Sequence, residues 1–119
     1  MNLSPILARL DLRQLQPREQ NRYVNRLHKI ADAIEGRFPH VNRPEQIRLK
    51  HAQYCRNVWL RNYSSSERTQ AEYLRALAIL VQALGRPESW LGSLGLNKAV
   101  DAGGRPTKVG VRRSKKFYR

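Results

Sequence analysis

The sequence predicts an all-α fold: a small bundle of four to five helices followed by a basic, partly disordered C-terminal tail. Three observations carry this. Apolar residues recur at steps of three and four in separate stretches, the period of a helix with one buried face. Capping and stopping residues bracket those stretches. No stretch alternates apolar and polar residues for long enough to build a sheet. The chain has 119 residues, 40% of them apolar, which fits one domain with a small core plus a tail.

The elements follow in order. Ser4-Pro5 reads as an N-cap with proline at the first helical position, and Ile6, Leu7 and Leu10 form one apolar edge. Pro17 ends that segment. Residues 18–36 read as a helix with Tyr23, Val24, Leu27, Ile30, Ala31 and Ile34 inward. Arg22, Arg26, Lys29, Asp32 and Glu35 fall on the other face, and Gly36 reads as the C-cap. Residues 43–61 read as a second helix, capped by Asn42, with Pro44 and Glu45 in its first turn. Its apolar stripe is Ile47, His51, Tyr54, Cys55, Val58 and Trp59; its basic stripe is Arg43, Arg48, Lys50, Arg56 and Arg61.

Residues 65–84 read as a third helix, with Ser64 as cap and Glu67 completing a capping box. Ala71, Leu74, Leu77, Ala78, Val81 and Leu84 keep the helical period, and Gly85 and Pro87 stop it. A short helix over 87–95 turns Trp90, Leu91 and Leu94 inward. The helical domain is thus 1–96. Residues 97–119 hold eight Lys and Arg against Asp101 alone, with Gly103-Gly104 and Pro106 early on. They read as a mobile basic tail, with a short extended piece over Thr107 to Val111.

Charge points to the partner. There are 23 Lys and Arg against 9 Asp and Glu, a net charge of +14, and 17 of the 23 are arginines. Lysine would keep a protein soluble equally well. Arginine adds a planar fork that grips phosphate or guanine at two points. Nucleic acid is therefore the expected partner.

Catalysis finds no support. No carboxylate pair lies on a shared pocket-facing surface, and Gly103-Gly104 stands alone rather than in a phosphate loop. Tyr118 lacks a base to activate it. The chain reads as not an enzyme, without cofactor or metal. The single Cys55 excludes an internal disulfide and a cysteine zinc cluster, and His28, His40 and His51 lack ligand spacing. The longest apolar run, Ala76 to Val81, is far short of a membrane span. No secretory signal is visible, so the expected location is a reducing compartment, a bacterial cytoplasm or a nucleus.

The sharpest candidate contacts sit at the start of the third helix: Ser65, Ser66, Arg68 and Thr69, with Arg75 two turns on from Arg68. A helix N-terminus with free N–H groups favours phosphate, and an arginine face suits a major groove. The plainer reading is that the serines only cap. Arg48, Lys50 and Arg61 extend the basic side of the second helix, while His51 reads as a packed core histidine. Trp59, Trp90, Tyr54 and Tyr73 read as core anchors. In the tail, Arg112, Arg113, Lys115 and Lys116 lead into Phe117 and Tyr118 before Arg119, suiting an arm along a backbone or in a minor groove.

These pieces and their order resemble a known family. Arg26-Leu27-His28-Lys29-Ile30-Ala31, Phe38-Pro39-His40-Val41, Ile47-Arg48-Leu49-Lys50-His51, Val58-Trp59 and Tyr63-Ser64-Ser65-Ser66-Glu67-Arg68-Thr69 follow one another. With Tyr73 to Leu77 and Leu94-Gly95-Leu96, they look like the N-terminal SAM-like core-binding domain of phage-type tyrosine recombinases (integrases). The resemblance covers about Asn21 to Leu96. It implies a helical bundle clasping one side of duplex DNA, with contacts at Lys50, Ser65, Arg68, Thr69 and Arg75. It also implies a bacterial, nucleoid-associated setting in a mobile element or prophage. The departure is large: the catalytic domain, with its arginine–histidine–arginine set and nucleophilic tyrosine, has no counterpart here. Tyr118 follows the bundle too soon to serve.

The expected function is non-catalytic duplex-DNA binding, regulatory or recombination-accessory, through a basic helical face and a basic C-terminal arm. A recombinase or another protein is a further expected partner. The alternatives are an adapter or inhibitor that binds an acidic protein, or an RNA-binding protein. Oligomeric state stays open, with a monomer the default because no heptad seam persists.

Overall fold

Twenty-one residues, Pro17–Arg37, form the longest helix of the chain. The computed structural model describes residues 1–87 and 89–96 and the backbone of residues 110–111. Along them run α1 (Ser4–Leu7), β1 (Leu10–Asp11), α2 (Pro17–Arg37), a 3-10 turn (Pro44–Gln46) and α3 (Leu49–Tyr54). A π-helical turn (Cys55–Trp59), α4 (Leu60–Tyr63), α5 (Glu67–Ala83), α6 (Ser89–Ser93) and β2 (Gly110–Val111) follow. The fold is all-α, as the periodicity predicts.

Pro17 opens α2 because its missing N–H is one that a first turn leaves unpaired anyway. Leu27, Ile30, Ala31 and Ile34 are buried, while Tyr23 and Val24 are half-buried. Gly36, expected as the C-cap, lies inside the helix instead. The chain leaves at Phe38, whose N–H still donates to the Ile34 carbonyl at 2.8 Å. Phe38 packs against the core, so its burial carries the last turn past the glycine. At the other end of the core, Ser4 is the first residue of α1 rather than its cap, and its N–H is taken by Asn2 Oδ1 at 3.0 Å.

The second predicted helix departs from its expected form in two places. Residues 44–46 make a separate 3-10 turn, held by the Gln46 side chain, which accepts from the N–H groups of Asn42 and Arg43. The α-helix begins only at Leu49, where His51 Nδ1 accepts from the Arg48 N–H at 2.9 Å. Further on, residues 55–59 wind as a π turn between α3 and α4. A π turn inserts one residue into the helical count, so every later side chain rotates by about 100°. Val58, expected inward, is therefore 47% exposed, and Leu60 takes its place in the core. Arg56, expected on the solvated basic stripe, is half-buried and runs beneath Gly95.

α5 begins two residues later than expected. Ser66, not Ser64, is its cap, with Oγ accepting from the Thr69 N–H at 3.3 Å. Ser64 ends α4, and its Oγ accepts from the Ser66 N–H instead. The capping box is also not formed by Glu67; Gln70 reaches back to the Ser64 carbonyl at 2.7 Å. Ala71, expected inward, is exposed. Beyond Arg75 the helix is buried on all sides, Ala76 through Val81 without a break. Gly85 closes the end at φ 71°, with the Arg86 N–H donating to the Val81 carbonyl. Gly95, at φ 66°, does the same after α6, which brings Leu91 and Leu94 inward. Trp90 packs at the core margin.

α2 and α5 pass each other in opposite senses: Arg26 meets Glu72, and Tyr23 packs beside Ile79 and Leu15. Among the described residues the strand pairing is a two-residue antiparallel ladder, Leu10 opposite Val111 and Asp11 opposite Gly110. Two residues are too few to leave an alternating pattern in a sequence. The rest of the expected mobile tail, with Arg112, Arg113, Lys115 and Lys116, lies outside the described residues.

These placements set opposite signs for two glycine substitutions. Gly36→Ala has open space around the new methyl and helical backbone, and should stabilise by about 0.5 kcal/mol. Gly85→Ala forces a side chain into the left-handed region and should cost about 1–2 kcal/mol. Urea denaturation of both variants measures this. A destabilised Gly36→Ala would put that glycine back at the helix end.

Candidate nucleic-acid interface

The nine carboxylates of the chain are too few to neutralise its cations, so the position of each matters. Glu72 on α5 is shared by two arginines. Its Oε2 accepts from Arg26 on α2 at 2.8 Å, and its Oε1 lies 3.9 Å from Arg68, one turn earlier on α5. Arg26 is largely covered, whereas Arg68 is 91% exposed. Between the two helices runs a cleft of about 200 Å³ lined by Glu19, Arg22, Tyr23, Arg26, Glu72 and Arg75. Arg22 and Arg75 stand exposed on its rim, and neither meets a carboxylate among the described residues.

The expected contact residues divide into two groups. Arg61, on α4, and Ser65, Ser66, Arg68 and Thr69 gather around the α4–α5 turn; Arg75 lies two turns along α5. Ser65 is exposed, and Ser66 is exposed but occupied as the cap. Thr69 is half-buried, its N–H already taken by Ser66. Glu67 places a carboxylate in the first turn of α5. That charge opposes an incoming phosphate and already complements the helix dipole. Arg68 and Arg75 therefore remain the stronger members of this group. Arg48 and Lys50 are exposed at the far end of the same helical rod. Eleven residues separate Lys50 from Arg61, about 16 Å along the axis. The structure does not bring them together.

An aromatic cluster lies at the α4–α5 turn. Tyr63 stacks on Trp59 with ring centroids 4.8 Å apart, and both meet the buried Tyr73 edge-on. Lys29 of α2 donates to the Tyr63 hydroxyl at 2.6 Å, and Tyr73 donates to it at 3.4 Å. Two donors on one oxygen favour the phenolate, so Tyr63 sits below the ordinary phenol range, chiefly through Lys29. Burial pushes Tyr73 the other way. Tyr63 is 43% exposed, so the cluster offers a half-open ring beside an ammonium. Tyr73, Trp59 and Tyr54 otherwise pack as the sequence expects of core or core-margin residues.

His51 is 1% exposed beneath Phe38, at 4.6 Å between ring centroids, and His40, at 6.0 Å. Its Nδ1 accepts from Arg48, so the neutral ring carries its proton on Nε2, which has no partner among the described residues. Burial, then the charges of Lys50, His40 and Arg48, hold its pKa below the ordinary 6.5. Burial likewise pushes the Cys55 thiol up to about 12, far from a reactive thiolate. No group of three or more His, Cys, Asp or Glu that could hold a metal ion occurs among the described residues. No helix there is long and apolar enough to cross a membrane.

Compared with protein-family models, curated proteins and solved structures, the chain matches none.

Sequence reasoning placed Arg22 and Arg26 only on an outer face and did not count them among the contact residues. A signal was present: Arg18, Arg22 and Arg26 repeat at a spacing of four, one row along α2. What the sequence lacked was the partner helix that turns this row into one wall of a cleft.

His51 makes stability depend on pH. Its folded pKa is depressed, so the stabilisation is full above the unfolded value of about 6.5 and is lost as pH falls through the lower folded value. Between pH 7.5 and 5.5 the native protein should lose denaturation free energy. His51→Gln keeps an acceptor for the Arg48 N–H but does not titrate, and should flatten that slope. An equally steep slope in the variant would assign the dependence elsewhere.

Proposed function

We propose that the chain is a non-catalytic DNA-binding protein that grips duplex backbone through the arginine face around α5 and through its basic C-terminal arm. The observation that carries this reading is the charge itself: +14, with 17 arginines among 23 basic residues. The geometry supports it. Arg68 and Arg75 stand exposed two turns apart on α5, with Arg22 across the cleft from Arg75, and Arg61 is exposed on α4. Their density makes a field that draws a polyanion and raises its rate of encounter. Arginine forks suit phosphate oxygens in two-point contact.

The resemblance to the core-binding domain of tyrosine recombinases adds the duplex as substrate and a mobile element or prophage as setting. On that reading the protein is an accessory or regulatory partner of recombination, acting in the nucleoid. Positions Lys50, Ser65, Arg68, Thr69 and Arg75 then face DNA. Arg112, Arg113, Lys115 and Lys116 lengthen the contact as an arm.

The test is a titration of nuclease-treated protein against a random duplex library, at low and near-physiological salt, with sequencing of the bound fraction. Affinity should fall steeply with salt, by a slope of about 0.9 for each phosphate neutralised. Arg68→Ala and Arg75→Ala should each weaken binding several-fold, and removal of residues 105–119 should reduce both affinity and slope. Tighter binding to structured RNA in competition would overturn the duplex assignment. A single stoichiometric acidic protein, captured where DNA is not, would favour an adapter instead.

A further inference from the structure

We propose that the cleft between α2 and α5 seats one phosphodiester group of a nucleic-acid backbone, held jointly by Arg22 and Arg75. This rests on the DNA-binding reading and deepens it, because it names a place where the backbone would be gripped.

The cleft is built from opposed charges. Of its three guanidiniums, Arg26 is fixed by Glu72 at 2.8 Å and is mostly covered. It also lies 5.7 Å from the centre of the Tyr23 ring, which floors the cleft on the α2 side. Glu72 thus acts as a positioning residue: it ties α2 to α5 and draws Arg68 from the neighbouring turn. Arg22 and Arg75, one from each helix, are left to meet a ligand.

Charge and size together select the ligand class. Three arginines against Glu19 and Glu72 leave the lining at a net charge of +1. A phosphodiester carries a single negative charge and balances it. A dianionic phosphomonoester would leave an uncompensated charge against two carboxylates. The volume of about 200 Å³ lies below the roughly 300–1,000 Å³ typical of pockets that enclose whole small molecules. It therefore suits one anionic group of a longer ligand, with the flanking sugars and bases outside. Guanidinium forks from two helices, facing one anion, also fix its direction in a way that a single arginine does not.

The experiment uses the full chain and a short labelled duplex, with affinity measured by fluorescence anisotropy over a range of salt. The proteins are the wild type, Arg22→Ala, Arg75→Ala, the double alanine variant, and Arg22→Lys with Arg75→Lys. Both side chains are exposed, and thermal midpoints check that every variant folds. If the two arginines share one phosphate, the double alanine variant lowers the salt slope by about 0.9, one contact's worth. The affinity losses of the single variants then fail to add. The double lysine variant keeps the slope but binds several-fold more weakly, because the charge stays while the fork is lost. A slope lower by about 1.8, with additive losses, means two separate phosphates and overturns the shared seat. An unchanged slope in the double alanine variant overturns the site while leaving DNA binding intact. A wild type that does not bind the duplex overturns both readings.

Discussion

The contact between Arg26 and Glu72 joins the two longest helices, and the surface on both sides of it takes its form from that pairing. A half-covered pair of this kind contributes modestly to stability, since desolvation offsets much of the attraction. Its larger effect is geometric. In a chain with 23 basic residues and 9 acidic ones, a carboxylate at a helix crossing decides which guanidiniums are tied and which remain open. Arg26 is tied; Arg22 and Arg75 remain open. The cleft follows from this arrangement.

Beneath the polar surface, the core depends on a different constraint. α5 is buried all round from Ala76 to Val81, so its second half must be enclosed by α2, α6 and the N-terminal segment together. Leu15 meets Ile79, and Leu3, Ile6 and Leu96 are almost completely enclosed. Several backbone ends are closed by arginine: Arg86 donates to the carbonyls of Glu45 and Ile47, and Arg9 to that of Ala83. Arg86 also lies 5.4 Å from the Trp90 ring centre. Part of the charge excess is therefore structural, fastening loops whose carbonyls would otherwise be left unpaired. Arg56 is drawn into the fold differently, beneath Gly95, with its Nη1 donating to Asn57 Oδ1. Only the remaining exposed arginines are available to a partner.

Where the sequence could be read correctly, the signal was local. The inward residues of α2, the stop at Gly85 and the inward turn of Leu91 and Leu94 each depend on neighbours within one or two turns. The misplacements have equally physical causes. The serines at 64–66 are chemically interchangeable as caps, and only the end of α4 at Tyr63 pushes the start of α5 to Glu67. Gly36 offered a stop, but burial of Phe38 outweighed it. The π turn carries no distinctive residue, yet it moved Val58 outward and Leu60 inward. Of the candidate contact residues, spacing along the helix singled out Arg68 and Arg75, and of these Arg75 lines the cleft. Arg22 was missed, because a cleft needs two walls and the sequence displays one at a time.

The sequence by itself determined the helical class, the strong positive field and the arginine bias, since these depend on composition and on contacts between near neighbours. The tertiary structure alone decided which arginines are used up in holding the fold and which face outward. It also parted Arg48 and Lys50 from the α4–α5 group and set Arg22 opposite Arg75. The physical reason is that pairing and burial between helices depend on how they cross, and a crossing joins residues such as 26 and 72 that no local rule relates.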